Sequence, residues 1–100
     1  MKFVLKGPFR ENVYNLMRKI GYFFEGKELA REELVFARPL KNYPRFHLFL
    51  RIKQETNEII FDLHLDQKEP IYKGVAAHCA EYGGEVVEKE AERIKEILRE

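Results

Sequence analysis

The chain has 100 residues, a formal net charge of +1 at pH 7 and 45% hydrophobic residues. This length predicts a single domain, residues 1–100, whose one two-layer core leaves little room for a deep internal active site. Serine is absent and Thr56 is the one threonine, so serine-nucleophile chemistry is excluded.

Several features bear on where the protein works. The longest apolar runs are a few residues, so no membrane span is expected, and the first residues lack the apolar segment and cleavage site of a signal peptide. Cys79 is the one cysteine, which excludes an intrachain disulfide and fits a reducing compartment. We therefore expect a cytoplasmic protein. Its many Glu, Lys and Arg residues are typical of thermophile proteins.

Charge is unevenly distributed along the chain. Residues 1–53 carry 12 Lys and Arg against 5 Asp and Glu, whereas residues 54–100 carry 6 against 12. Such asymmetry can indicate an anionic partner, although the two halves can also neutralise each other within the fold.

The first half of the chain predicts a strand, a helix and a hairpin. Residues 2–6 indicate a strand, and residues 9–20 place apolar side chains at helical spacing before Gly21, which is suited to end a helix. Residues 22–37 predict a hairpin that begins with Tyr22, Phe23 and Phe24 and turns at residues 25–27. Residues 38–45 predict a loop because Pro39 and Pro44 disfavour strand pairing.

The most regular pattern is the central stretch, residues 46–66. Apolar and polar residues alternate with period two on both sides of a polar break, which predicts a β-hairpin with one buried face. A turn centred on Thr56 and Asn57 would pair His47 with Asp66, Phe49 with His64 and Arg51 with Asp62. Neighbouring registers keep the same faces and change the partners.

The end of the chain predicts a long irregular segment and a helix. Residues 67–84 are interrupted by Pro70 and three glycines, and a loop of this length in a compact domain is often functional. Residues 85–100 predict a helix with an apolar stripe. The apolar stripe is Val87, Ala91, Ile94 and Leu98.

The element order β-α-β-β-β-β-α predicts the fold class. Two amphipathic helices need an apolar surface, and the central hairpin offers one. We expect an α+β two-layer sandwich, with a mostly antiparallel sheet of about five strands and both helices on one face.

The polar face of the hairpin offers a candidate metal or acid–base site. His47, His64 and Asp66 share that face, and His78 or Cys79 could approach from the long loop. Imidazole with carboxylate or thiolate suits zinc and similar ions, so zinc is the candidate cofactor. The spacing matches no established metal motif. The alternative is a solvated sheet on which His47 and Asp66 form an ordinary pair.

The same face is also a candidate surface for anions or single-stranded nucleic acid. Phe49 could stack on a base, and Arg51 could contact a phosphate or carboxylate. Asp62 and Asp66 on that face oppose this interpretation, and no ribonucleoprotein motif is present.

Two further hypotheses are a cysteine nucleophile and a homodimer. Cys79 could act as a nucleophile with His64 as its base, although a cysteine among alanines is typical of a small buried residue. The exposed sheet face or an edge strand could also support a homodimer.

The sequence therefore favours a small non-enzymatic domain that binds an anionic ligand or RNA through the sheet face and the loop at residues 67–84. Its predicted ligand-binding residues are His47, Phe49, Arg51, His64, Asp66 and His78. The alternatives are a metal-binding protein or metal-dependent enzyme that uses His47, His64, Asp66 and His78, and a homo-oligomeric interaction module.

Overall fold

The computed structural model describes residues 1–68 and 80–99. A short helix follows the first strand, five more strands come next, and a longer helix follows the last of them. In chain order they are β1 (Lys2–Lys6), α1 (Val13–Lys19), β2 (Phe23–Glu28), β3 (Glu33–Arg38), β4 (Arg45–Lys53), β5 (Glu58–Asp66), β6 (Ala80–Glu81) and α2 (Glu85–Leu98).

The strands form one antiparallel sheet in the order β1-β5-β4-β3-β2. The short strand β6 pairs with the last residues of β5, at the edge that β1 also uses. Both helices contribute to the core on one face of the sheet, so the predicted α+β architecture is confirmed. Within the described residues, neither helix is both long and apolar enough to cross a membrane.

The core lies between the helices and the inner face of the sheet. Helix α2 contributes the stripe that its spacing predicts, since Val87, Ala91, Ile94 and Leu98 are all buried, and α1 contributes Leu16 and Met17. From the sheet, the buried set is Phe36, Leu48, Leu50, Ile59, Phe61, Leu63 and Leu65. Each such side chain contributes about 1.5–3 kcal/mol of hydrophobic free energy.

Helix α1 is shorter than its apolar pattern predicts. Asn12 caps the helix, because its side-chain oxygen accepts a hydrogen bond of 2.9 Å from the Asn15 N–H. The helix therefore begins at Val13, not at Phe9. Its end is a Schellman turn in which the Gly21 and Tyr22 N–H groups donate to the carbonyls of Arg18 and Met17.

We expect Gly21→Ala to lower the free energy of unfolding by about 1–2 kcal/mol, because Gly21 has φ +88° and a Cβ is strained there. The matched control is Gly83→Ala. A Cβ at Gly83 meets nothing within 4 Å, so that substitution should be close to neutral. Urea denaturation of both variants checks the difference, and equal midpoints would contradict it.

The hairpin of β2 and β3 forms, but its predicted turn at residues 25–27 is wrong. The strands pair through Lys27 and Glu28, and the turn comes later, at residues 29–32. Phe24 pairs with Phe36 and Gly26 pairs with Val35, so Glu25 is an extra residue in a β-bulge. The glycine that suggested a turn instead accommodates this bulge.

The β4–β5 hairpin keeps the predicted faces in a different register. His47 lies directly opposite His64, Phe49 opposite Asp62 and Arg45 opposite Asp66. The predicted register, which placed His47 opposite Asp66, Phe49 opposite His64 and Arg51 opposite Asp62, is therefore wrong. The side chains of His47 and Asp66 still contact each other diagonally. The reason for the different register is the turn, which occupies residues 54–57 and is centred one residue earlier than expected. Asn57 takes the left-handed conformation at φ 56° and closes it.

One feature of the core is polar. Glu90 of α2 is 5% exposed, and its carboxylate accepts hydrogen bonds from the Tyr22 hydroxyl at 2.6 Å and from Arg38 Nη1 at 2.8 Å. Arg93 binds both carboxylate oxygens, at 2.8 and 2.9 Å. This network ties α2 to both strands of the β2–β3 hairpin region.

Candidate metal centre

The candidate centre lies on the outer face, which we define as the face of the sheet away from the helices. His47 and His64 are directly paired there on β4 and β5, with ring centroids 5.2 Å apart. Asp66 is two residues beyond His64 and therefore points to the same side. The alternation of the sequence thus brings the three predicted ligands together.

The ligand atoms of His47, His64 and Asp66 all lie within 4.8 Å of one another. His64 Nε2 is 3.3 Å from Asp66 Oδ1, and His47 Nδ1 is hydrogen-bonded to the other oxygen, Oδ2. A tetrahedral ion with bonds of about 2.0–2.1 Å holds its ligands about 3.3 Å apart. Small side-chain rotations therefore suffice to place all three around one ion.

Both histidines are buried although they lie on the polar face: His47 is 9% exposed and His64 is 8% exposed. The ring of Phe49 stacks beside His64 at 5.4 Å, and the ring of Tyr82 lies at 5.1 Å from it. His64 therefore lies between two aromatic rings, which restrict the orientation of its imidazole.

Burial lowers the pKa of His64 below its usual value. The negative charge of Asp66 opposes this effect, and a charge on His47 reinforces it. The physical cause is the loss of water around the imidazolium. Burial thus favours the neutral form of His64, which is the form that binds a metal.

Glu25 orients His47 from outside the cluster. Its Oε1 lies 2.8 Å from His47 Nε2, so a proton on that nitrogen donates to the carboxylate. In the metal-bound form, Nε2–H would donate to Glu25, and the ion would take the place of the proton that Nδ1 shares with Asp66. This carboxylate–histidine arrangement is the usual support of a metal-bound imidazole.

The β-bulge and a small residue let Glu25 reach His47. Glu25 is on β2 and His47 is on β4, two strands away and so about 10 Å apart in backbone. Between them lies Ala37 of β3, which pairs with His47 and is fully buried. Its methyl group leaves the space over which the two longer side chains meet.

Enlarging that methyl group should separate Glu25 from His47. We expect Ala37→Leu to destabilise the protein by about 1–3 kcal/mol through overpacking and to remove the Glu25–His47 hydrogen bond. The ¹⁵N shifts of the His47 ring report the loss. Ala30→Leu in the exposed β2–β3 turn is the control, and unchanged His47 shifts in the Ala37 variant would contradict the argument.

Arg45 in turn holds Glu25. Its Nη2 is 3.1 Å from Glu25 Oε2, its Nη1 donates to the Leu40 carbonyl, and its guanidinium lies 4.7 Å from the centre of the Tyr43 ring. Arg45 Nε is buried and has no hydrogen-bond partner among the described residues. The guanidinium group of Arg45 therefore helps to hold the carboxylate of Glu25 in place.

The other predicted site residues separate into three cases. Phe49 lies next to the cluster, but its ring is partly buried against His64. Arg51 lies away from the three ligands on an exposed part of β4, where it donates to the Arg31 carbonyl at 3.1 Å. His78, like Cys79, lies outside the described residues.

Sequence reasoning missed the contacts that Glu25, Arg45 and Tyr82 make at the cluster. A glycine after Glu25 was a signal for a bulge, since glycine inside a strand often marks one. No local signal placed Tyr82 beside His64, because the pairing of β6 with β5 brings it there.

No protein-family model matches the chain, and no curated protein or solved structure matches it either. The functional argument therefore depends on the chemistry of the described residues.

Proposed function

We propose that the protein binds a divalent metal ion of the zinc class on the outer face of its sheet, through His47, His64 and Asp66. The observation that carries the proposal is the convergence of two buried imidazoles and a carboxylate within 4.8 Å. Imidazole ligands favour zinc and later transition metals over magnesium and calcium, which prefer oxygen.

The surroundings of the three ligands support this assignment. Glu25 orients His47 through a hydrogen bond at Nε2, and Arg45 holds Glu25, so the site has both ligands and the groups that orient them. Three protein ligands leave a fourth position of a tetrahedral ion open. That position is where water or an exchangeable ligand would bind.

The charges on the outer face favour a cation over an anion near the cluster. The carboxylates of Glu25 and Asp66 contact His47, and Asp62 lies one pair farther along the same face. These carboxylates would repel an anionic ligand or an RNA backbone. The prediction of anion or RNA binding at this face stays a prediction, and the local electrostatics favour the metal.

The test is a calorimetric titration of the full chain with zinc, and separately with magnesium. We expect one zinc per chain and no magnesium binding at the same concentrations. Cobalt substitution should give the visible absorption of a tetrahedral site. The double variant His47→Gln/His64→Gln should lose both signals while keeping its circular dichroism spectrum. Zinc binding that is unchanged in this variant would refute the proposal.

A further inference from the structure

A second candidate site lies in the helical layer, on the other side of the sheet from the metal centre. The end of β1, the loop before α1, α1 itself and the end of α2 enclose a cavity of about 310 Å³. None of the residues around it belongs to the candidate metal centre. Its volume is at the lower end of the range of small-molecule sites, about 300–1,000 Å³.

One wall of this cavity is apolar, and charged side chains form much of the rest. Leu5 of β1, Phe9 of the loop and Ile97 of α2 line it, and all three are partly buried against the core. Leu16 and Leu98 complete the apolar wall and belong to the core itself. A ring or a short alkyl chain could therefore pack against this wall.

The rim of the cavity is cationic. The exposed cations that line it are Lys6, Arg10, Lys19 and Arg99. The one carboxylate among its described lining residues is Glu11, which is paired with Lys19. Arg10 and Arg99 form no ion pair with any residue in the ranges 1–68 and 80–99. Two guanidinium groups are therefore available beside the apolar wall of the cavity.

We propose that this cavity binds a small organic anion, with an apolar ring or chain inside and a phosphate or carboxylate group at the rim. A guanidinium group offers parallel N–H donors that match a phosphate or carboxylate in a bidentate way. Arg10 belongs to the basic N-terminal half of the chain and Arg99 to the acidic half, so folding brings them together from opposite ends. The anion site is thus separate from the sheet face.

Phenyl phosphate is the probe, with EDTA present so that the metal centre takes no part. We expect saturable binding, with amide shifts in ¹H–¹⁵N NMR spectra concentrated at Leu5, Leu16 and Ile97. Benzyl alcohol, which lacks the charge, and inorganic phosphate, which lacks the ring, should each bind at least about tenfold more weakly. Shifts spread over the surface, or no saturation, would overturn the proposal.

The double variant Arg10→Gln/Arg99→Gln should weaken phenyl phosphate binding by about tenfold or more, because two charge-assisted contacts are lost. The matched control is Lys27→Gln/Lys41→Gln, which removes the same charge from exposed positions outside the cavity. If both double variants bind phenyl phosphate equally weakly, the attraction is unspecific and the proposal of a site is overturned. On the unmodified chain, affinity should fall as salt rises from 50 to 200 mM; a salt-independent affinity would also overturn it.

Discussion

Glu90→Gln should lower the free energy of unfolding by about 2–4 kcal/mol. The carboxylate is 5% exposed and is shared by Tyr22, Arg38 and Arg93, so the substitution leaves two cations without their counterion. Breaking a buried ion pair from one side costs about 3–5 kcal/mol. The figure is reduced here because the side chains of Arg38 and Arg93 keep contact with water, at 38% and 34% exposure.

The matched control for this prediction is Glu92→Gln. Glu92 lies on the same helix, its side chain is 65% exposed and its pair with Lys95 is 3.3 Å long. An exposed pair of this kind contributes about 0–1 kcal/mol. Guanidinium denaturation of both variants at pH 7 gives the comparison, and a similar loss in the two would show that the buried network contributes little.

The pH dependence of the difference gives a second measurement. Burial alone would raise the pKa of Glu90, but hydrogen bonds from Arg93, Tyr22 and Arg38 outweigh it and hold the pKa below the usual value of 4.5. The folded state therefore binds the Glu90 proton less readily than the unfolded state. The stability due to Glu90 is present above about pH 4.5 and is lost as pH falls through the lower folded pKa. We expect the unmodified chain and Glu90→Gln to converge in stability as pH falls into that range.

The Glu90 network illustrates what a sequence pattern can and cannot give. The spacing of Val87, Ala91, Ile94 and Leu98 predicts the buried stripe of α2, and that prediction is confirmed. Glu90 lies three residues after Val87, within the same stripe, so its burial was implied by the same spacing. The spacing does not predict the partners of Glu90, because Tyr22 and Arg38 are more than 50 residues away in sequence. Contacts at that separation depend on the whole topology.

The residues of the metal centre also fall into those that the sequence pattern predicts and those that it does not. Period-two alternation places His47, His64 and Asp66 on one face in every permitted register, so the cluster survives a register that was predicted wrongly. The position of Glu25 depends on a bulge that shifts the register of β2 against β3 by one residue, and periodicity does not encode that shift. The ligands were therefore predictable, whereas the carboxylate that orients His47 was not.

Substitutions at the metal centre should produce graded losses of zinc affinity. Asp66→Asn removes a charged ligand and should weaken zinc binding by more than about 100-fold, beyond the range typical of outer-shell changes. Asp62→Asn is the matched control, because Asp62 lies on the same face and strand but outside the cluster. It should leave the affinity within about twofold. Competition titrations against a chelator at pH 7.5 measure both, and equal affinities in the two variants would remove Asp66 from the site.

Glu25→Gln tests the orienting role by itself. Glu25 contacts His47 Nε2, so its removal leaves all three proposed ligands in place and should weaken zinc binding by about 10–100-fold. Because the amide oxygen still accepts a hydrogen bond but carries no charge, the loss should be smaller than that of Asp66→Asn. The readout specific to this role is the ¹⁵N shift of the His47 ring without metal, which should show less of the Nε2-protonated tautomer. Weaker zinc binding with an unchanged tautomer would mean that Glu25 acts through its charge alone.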